Sequence, residues 1–596
     1  SERAPDPPAV AKLDGKEQSL GHYGGTLNIL MGRQKDIRMM MVYGYARLVG
    51  YDRGLNIVPD IVERIDVEDQ KTFTFYLRKG HKWSDGQPFT AEDFRYYWED
   101  VVNNEELSPF GPPKDLIIDG EPPRFEVIDE RTVRYSWSRP NPYFLPTIAG
   151  ARPLFIYRPA HYLKQFHARY TAPDELQAKV EAASKRNWAG LHHRRDHQYR
   201  FDNIDLPMLQ PWINTTRPPS ERFVFRRNPY YHRVDSTGRQ LPYIDKVIIN
   251  IADNSLIPAK TGFGDSDLQA RYIRFDHYTF LKKGEKKKNF KVRLWRRASG
   301  SKIALFPNLN AEDPVWRGLL RDVRFRRALS LAINRQAINQ VLYFGLARPS
   351  ANTVLPESPL FAAKYQKAWA AFDIKKANAL LDEIGLTQRN DAGTRLLPDG
   401  RPLQIIIDTA GESTEESDAL ELVKNDWKKA GVELFTKPSQ REVFRNRVFS
   451  GAAIMSVWSG LENGLPTADM IPGELAPTAQ TQLQWPKWGE YYETAQASGL
   501  APDMPVVQEL LRLNKNWRDA KTGEKRAEIW HKMLNIHADQ VFSIGIINGV
   551  PQPVVVTNDL KNLPVEGVYN WDPGAYFGIY RPDTFWFSEK RRASTP

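Results

Sequence analysis

An α/β fold divided into two or more lobes with mixed sheets is what this sequence predicts, and three observations carry the prediction. The chain has 596 residues, more than one hydrophobic core ordinarily fills, so its packing material must be divided. Alternating apolar runs of strand type interleave with apolar residues spaced three and four apart, the pattern of α/β layers. Composition is the third: 41% hydrophobic and 26% charged residues, with 16 Trp, 25 Tyr and 28 Phe, supply packed cores and exclude a largely disordered chain.

Residues 1–20 read as a flexible leader, and the first ordered element as a strand from Gly25 to Met31. In the next strand Phe73, Phe75 and Leu77 alternate with Thr72, Thr74 and Tyr76, and Gly80 ends it. The Asp85-Gly86 turn follows, and Thr90 caps a helix that carries Glu92 and Asp93 in its first turn. Phe94, Tyr97, Trp98, Val101 and Val102 have the spacing of one apolar α-helical face. Val133, Tyr135 and Trp137 form a further strand before Pro140, Pro142 and Pro146, and Lys246 to Ile251 is a short apolar strand. Phe325, Ala328, Leu329 and Ala332 share a helical face, Asn334 caps a second helix bearing Ala337, Ile338, Val341 and Leu342, and Gly345 ends it. Two helices, one with Ala377, Leu380, Leu381 and Ile384 and one with Leu420, Val423, Trp427 and Ala430, stop at Gly385 and Gly431. They lead to strands at Leu403 to Asp408 and Val432 to Phe435.

Cysteine is absent, which removes disulfides, zinc–thiolate centres and cysteine nucleophiles together and favours export over the cytosol. No run reaches the roughly 18 apolar residues that cross a bilayer, and the opening SERAPDPPAV has no apolar signal segment. A net charge of +11 raises nucleic acid as a partner, but the basic residues are dispersed and none is expected. The densest group, Lys282, Lys283, Lys286, Lys287 and Lys288, reads as a solvated loop. His192, His193, Arg194, Arg195, Asp196 and His197 form the one metal-like group, but the arginines repel a cation, so this too reads as a solvated loop and no metal or cofactor is expected. Gly-x-Ser-x-Gly, His-Glu-x-x-His and phosphate-binding glycine motifs are missing. A secreted hydrolase is therefore a remote alternative, and a protein that is not an enzyme is the expectation.

The stretch Trp83-Ser84-Asp85-Gly86-Gln87-Pro88-Phe89-Thr90-Ala91-Glu92-Asp93 resembles the signature of the oligopeptide and dipeptide class of solute-binding proteins of ABC importers, family 5 or cluster C. Further matching segments follow in the family's order: Tyr23 to Leu27, Arg227 to Tyr231, Leu241 to Val247, Asp322 to Leu329 and Ala332 to Arg335. The resemblance implies a type II periplasmic binding-protein fold, α/β with mixed sheets, a hinge and an extra subdomain. On that reading residues 21–50, 205–295 and 555–596 make lobe I, 51–204 its inserted subdomain and 296–554 lobe II. It implies a monomer in the periplasm, its signal peptide removed, that closes on a small solute and delivers it to an ABC permease and ATPase. An exported chaperone or a chemosensory receptor on the same fold is the alternative.

Peptide-binding members of that family carry an aspartate three residues after a tryptophan, paired with the peptide's α-amino group. Here Trp458 is followed at that position by Leu461, with Glu462 beside it, which in an extended segment points the other way. Oligosaccharides, glycosides and opines, which other members bind, therefore stand beside oligopeptides as ligands. The expected ligand-binding residues are Trp458 and Glu462 by resemblance, and Arg33, Gln34 and Lys35 in the loop after the first strand, where Arg33 and Lys35 suit a carboxylate or phosphate. Trp295, Asn310 and Trp571 complete the set.

Overall fold

Leu27 and Ile29 are buried at alternate positions of the strand Thr26–Met31, the two-residue period of a pleated backbone. In the computed structural model, which describes residues 3–13, 16–200, 202–411 and 413–588, this strand runs parallel to Lys246–Ile251, with Leu27 opposite Val247. Arg222–Arg227 and Trp212–Asn214 extend the sheet antiparallel. The sheet lies in the first of two compact units, Ser1–Trp295 with Gln552–Pro596 and Arg296–Pro551. The leading segment, expected to be a flexible leader, is paired where it is described. Ala9–Val10 runs parallel to Arg233–Val234, and the Gln18 amide donates to the Asn562 carbonyl at 3.0 Å.

Within the first unit, Val62–Glu68, Thr72–Leu77, Thr132–Ser136 and Arg124–Asp129 form an antiparallel sheet in the order given. Phe73, Phe75, Tyr135, Trp137 and Phe144 pack edge-on and tilted across it. The turn at Trp83 is closed by Gly86 at φ +90°, a left-handed value that a side chain would strain. Thr90 and Asp93 form a capping box. Asp93 also accepts from Trp83 Nε1 at 3.1 Å and Ala160 N at 3.0 Å, and burial pushes its carboxyl up to about 7. The Asp93 carboxyl therefore holds a turn and a helix start. The helix that follows differs from the expected α-helix: Ala91–Arg95 is α-helical, and Tyr96–Val102 continues as a π-helix. The wider turn buries Asp100, which binds Arg95 at 3.0 Å, Arg169 at 2.7 Å and the Tyr170 hydroxyl at 2.7 Å.

The histidine cluster expected as a solvated loop is a packed helix, whereas the lysine cluster is exposed throughout, with Lys286, Lys287 and Lys288 in the turn and bend the sequence predicts. Trp188–Asp196 is a helix in which His192 is fully buried and bonded to the Tyr96 hydroxyl at 2.7 Å, while Asp196 pairs with Arg158. Apolar neighbours at Ala189 and Leu191 draw that helix onto the core, which a charge count does not reveal. Lys282 and Lys283 end the helix Tyr278–Gly284, where cations oppose the negative end of the helix dipole.

A buried charge network closes the first unit. Arg233 binds Asp60 through Nε at 2.7 Å and Nη2 at 2.6 Å, reaches Asp583 at 3.2 Å, and donates to the Tyr45 carbonyl at 2.7 Å. His232 Nε2 meets the same Asp60 carboxylate at 2.9 Å. Burial opposes ionisation of Asp60, but Arg233, His232 and Arg581 outweigh it and hold the carboxyl well below the usual range. Burial likewise lowers His232 to about 4, so it is neutral and donates.

The second unit is built on a six-stranded mixed sheet in the order Arg348–Pro349, Ile544–Asn548, Ile303–Pro307, Met455–Trp458, Gln404–Thr409 and Glu433–Pro438. Its last three strands are parallel, and the helix Thr414–Lys429 links Gln404–Thr409 to Glu433–Pro438. The helices Val323–Leu331 and Arg335–Tyr343 form as the apolar spacing predicts, the second capped by the Asn334 side chain accepting from Ala337 N at 3.0 Å. Ile374–Glu383 and Thr414–Lys429 stop before Gly385 and Gly431, both left-handed.

Asp60→Asn is expected to lower stability by about 3–5 kcal/mol, because it strands the Arg233 charge in the core. Urea unfolding of the variant beside the wild type measures the loss, and a change under about 1 kcal/mol would show that Asp583 alone compensates Arg233.

Candidate functional site

A cavity of about 360 Å³ opens in the second unit at the end of the strand Met455–Trp458. Strand pairing places it: Ala304 lies directly across from Trp458 and Phe306 across from Ser456. The small Ala304 leaves Trp458 room to pack against Phe444, with ring centroids 5.9 Å apart and planes 21° apart. Phe444 comes from the helix Arg441–Ser450, whose Arg441 guanidinium sits 5.3 Å from the Trp458 ring centre. Trp458 stays only partly buried and, with Phe306 and Phe449, forms the aromatic wall.

The polar wall comes from the chain beyond Trp458. Gly460 N donates to the Ser301 carbonyl at 2.8 Å and Gly300 N to the Leu461 carbonyl at 2.7 Å, which pins this segment to residues 300–301. Gly460 is required by contact, since an added Cβ would lie 2.1 Å from Asn352 Oδ1. That oxygen accepts from Leu461 N at 2.8 Å, while Asn352 Nδ2 donates to Ser543 Oγ at 2.8 Å. The strand ends at Trp458, so side chains no longer alternate, and both Leu461 and Glu462 border the cavity. The opposite facing expected for Glu462 in an extended segment does not hold there.

Two carboxylates and one guanidinium border the space: Glu462, Glu474 and Arg445. Glu474 accepts from Glu462 N at 2.7 Å. Its side chain has accessible surface because it faces the cavity, yet protein surrounds it. That crowding pushes its carboxyl up to about 7, the Glu462 charge adds to the rise, and the amides of Glu462 and Asn463 oppose it. Water in the open cavity tempers the shift, and a ligand that displaces it strengthens it. His537 Nε2 donates to the Leu475 carbonyl at 2.8 Å, and burial lowers it to about 4, so it lines the cavity as a neutral ring. The site can stack a flat or C–H-rich ligand face on Trp458 and hydrogen-bond its edge through amides and carboxylates. Among the described residues, no group of three His, Asp or Glu converges on a metal position.

Of the residues expected from sequence, Trp458 and Glu462 border this cavity. Asn310 is buried in the same unit, and its Oδ1 accepts from Lys487 N at 2.9 Å and Trp488 N at 3.3 Å, holding the start of the helix Pro486–Glu493. In the first unit Trp295 has no exposed surface and packs on Phe577 and Tyr580, which gives it a core position rather than a place on a ligand surface. Trp571 is half-buried, edge-on to Tyr576. Arg33 and Lys35 are exposed and Gln34 is half-buried, in a turn fixed by Asp36 through Tyr272 and Arg271. Sequence reading missed Asn352, Phe444, Arg445, Glu474 and His537, which come from four segments between 352 and 537. No local pattern marks them.

Two units of mixed α/β sheets, one carrying an open aromatic and polar cavity, define a two-domain binding protein of the periplasmic type. The chain belongs to the bacterial extracellular solute-binding proteins, family 5, whose profile (Middle) matches residues 56–479. It is 22% identical to the periplasmic α-galactoside-binding protein of Rhizobium meliloti over 619 residues, covering 96% of this chain and 83% of the relative. It is 25% identical to the periplasmic oligopeptide-binding protein OppA of Escherichia coli over 391 residues, covering 62% of this chain and 63% of that protein. Among solved structures, an oligopeptide-binding protein OppA superposes with TM-score 0.78 at 30% identity, covering 99% of this chain and 94% of that one. The periplasmic binding protein MelB of Agrobacterium fabrum C58, in complex with stachyose, superposes with TM-score 0.72 at 20% identity, covering 100% and 89%. Among the described residues no helix is long and apolar enough to cross a membrane.

Because the folded Glu474 pKa is raised above its unfolded value near 4.3, the ionised carboxylate costs stability as pH rises from there through about 7. Glu474→Gln is therefore expected to gain on the wild type in melting temperature more at pH 8 than at pH 5. Melting curves of both proteins at the two pH values check this, and an equal difference at each would refute the raised pKa.

Proposed function

We propose that this protein captures an oligosaccharide or glycoside outside the cytoplasm, in the periplasm, and delivers it as a monomer to an ABC permease and its ATPase, without chemical turnover. The observation that carries the ligand class is the pairing of the partly exposed Trp458 ring with Glu462, Glu474, Asn352 and Arg445 around one cavity. A sugar presents a C–H face to an aromatic ring and vicinal hydroxyls to fixed amides, carboxylates and guanidinium groups. Leu461, at the position where peptide-binding members of the family place an aspartate, gives an α-ammonium group no counter-charge. The relative named for α-galactoside binding and the stachyose-bound neighbour support this reading.

An oligopeptide ligand is the second reading, favoured by Glu474. Its carboxylate faces the cavity, and the influences acting on its ionisation include no cation, so a peptide's ammonium would suit it. The neighbours named as oligopeptide-binding proteins lean the same way.

Thermal-shift titration with raffinose and stachyose, beside tri- to pentapeptides, separates the two. A sugar at 100 times its Kd is expected to stabilise the protein by about 2.7 kcal/mol, and Trp458→Ala to weaken that sugar roughly 10- to 100-fold. Stabilisation by peptides alone, abolished in Glu474→Gln, would overturn the sugar reading in favour of the peptide one. Release of a cleaved product would overturn the binding-protein reading.

A further inference from the structure

The helices Ile257–Phe263 and Tyr278–Gly284 of the first unit bury one side and leave the other unused. Ile257 and Leu281 are sealed in a core cluster with Ile273, Phe290 and Val292. Outside that cluster Leu256 is 53% exposed, Phe263 67% and Phe280 50%. Leu256, Lys260 and Phe263 are spaced four and three apart and so share one helical face. Phe280 lies over the same end of that helix, since a Cβ added to Gly262 would come within 2.7 Å of its ring. Phe263 and Phe280 therefore meet water at one end of the helix and Leu256 about two turns away on the same face, although the core beneath them is filled.

Basic charge surrounds them. Lys260 is matched by Asp265 at 3.3 Å and Lys282 by Glu285 at 2.8 Å. The remaining acids of these segments are engaged as well, Asp253 by Ser255, Asp267 by Asn28 and Asp276 by Arg274. Lys283, Lys286, Lys287 and Lys288 are exposed and have no ion pair among the described residues. Lys283 stands one helical turn from Phe280.

We propose that this face rests on an anionic lipid bilayer, with Phe263, Phe280 and Leu256 entering the headgroup region and the four free lysines meeting its phosphates. Lysines on flexible stems, held by no hydrogen bond, match a diffuse and laterally mobile sheet of negative charge, and they fix no geometry that a shaped partner would need. Exposed aromatic rings beside them supply the apolar insertion that charge alone does not. The contact needs no membrane-spanning segment, and it would hold a soluble capture protein near a membrane-embedded partner.

Co-sedimentation of the full chain with phosphatidylcholine vesicles containing about one third phosphatidylglycerol tests the proposal. The protein is expected to pellet with these vesicles, to stay in solution with pure phosphatidylcholine, and to be released near 0.5 M salt, where screening is short-ranged. Reversing the four lysines to glutamate is expected to lower the vesicle partition coefficient by roughly 100- to 1000-fold or more. Phe263→Ser with Phe280→Ser keeps the charge and is expected to lower it about tenfold or more. All of these side chains are exposed, and melting curves show whether each variant is folded. Equal pelleting of the lysine variant, or none by the wild type, overturns the proposal. Equally tight binding to soluble polyglutamate, unaffected by the phenylalanine substitutions, overturns it in favour of an acidic protein partner.

Discussion

Arg233 and Asp60 meet where neither touches water, and the first unit is assembled around that fact. Asp60 comes from the chain just before the strand Val62–Glu68, Arg233 from the short strand beyond Arg222–Arg227, and Asp583 from near the end of the sequence. A buried guanidinium left without its carboxylates is far costlier than any single surface contact. The network therefore admits only chain paths that bring all three segments together. Arg47 N donates to the same Asp60 at 3.0 Å, and Arg78 donates to the Asp60 carbonyl, so the strands on either side inherit the arrangement. The pairing of Ala9–Val10 beside Arg233–Val234 and the fixing of the signature turn proceed within this frame.

The second unit is governed by register. The pairing of Ala304 with Trp458 decides which aromatic ring ends the sheet and how much room it has. A one-residue slip would turn Trp458 to the other face and replace the aromatic wall with Val457. Where the strand stops, backbone hydrogen bonds to residues 300–301 and the close approach of Gly460 to Asn352 take over, and they hold the Leu461–Glu462 segment at the cavity rim. Glu474 is then crowded among protein atoms with Glu462 as a like-charged neighbour, so its protonation and whatever fills the cavity are coupled. A neutral hydroxyl-bearing ligand tolerates the protonated form, whereas an ammonium group selects the ionised one. The two ligand readings thus differ in their expected response to pH.

Much of the architecture is legible in the sequence because it is local. Phe73, Phe75 and Leu77 alternate, and Ala377, Leu380 and Leu381 repeat at helical spacing, since backbone geometry imposes those periods on any chain with one buried side. Asn334, Gly385 and Gly431 announce helix ends because caps are satisfied within a few residues. The failures have equally specific causes. The π-helical Tyr96–Val102 carries buried Asp100 to Arg169 and Tyr170, some seventy positions away and invisible to a local pattern. His192 and Asp196 look like solvated charge until Tyr96 and Arg158 receive them.

The candidate site divides along the same line. The sequence by itself determined the α/β class, the positions of most strands and helices, the signature turn, and that Trp458 is followed by Leu461 and Glu462. Only the tertiary structure decided that Phe444, Asn352, Glu474 and His537 surround that tryptophan, and that Trp295 and Asn310 are held in packed interiors. Helix and strand periods are written by contacts between near neighbours along the chain, whereas a cavity is what remains after distant segments have packed, and no stretch of sequence encodes the space left between them.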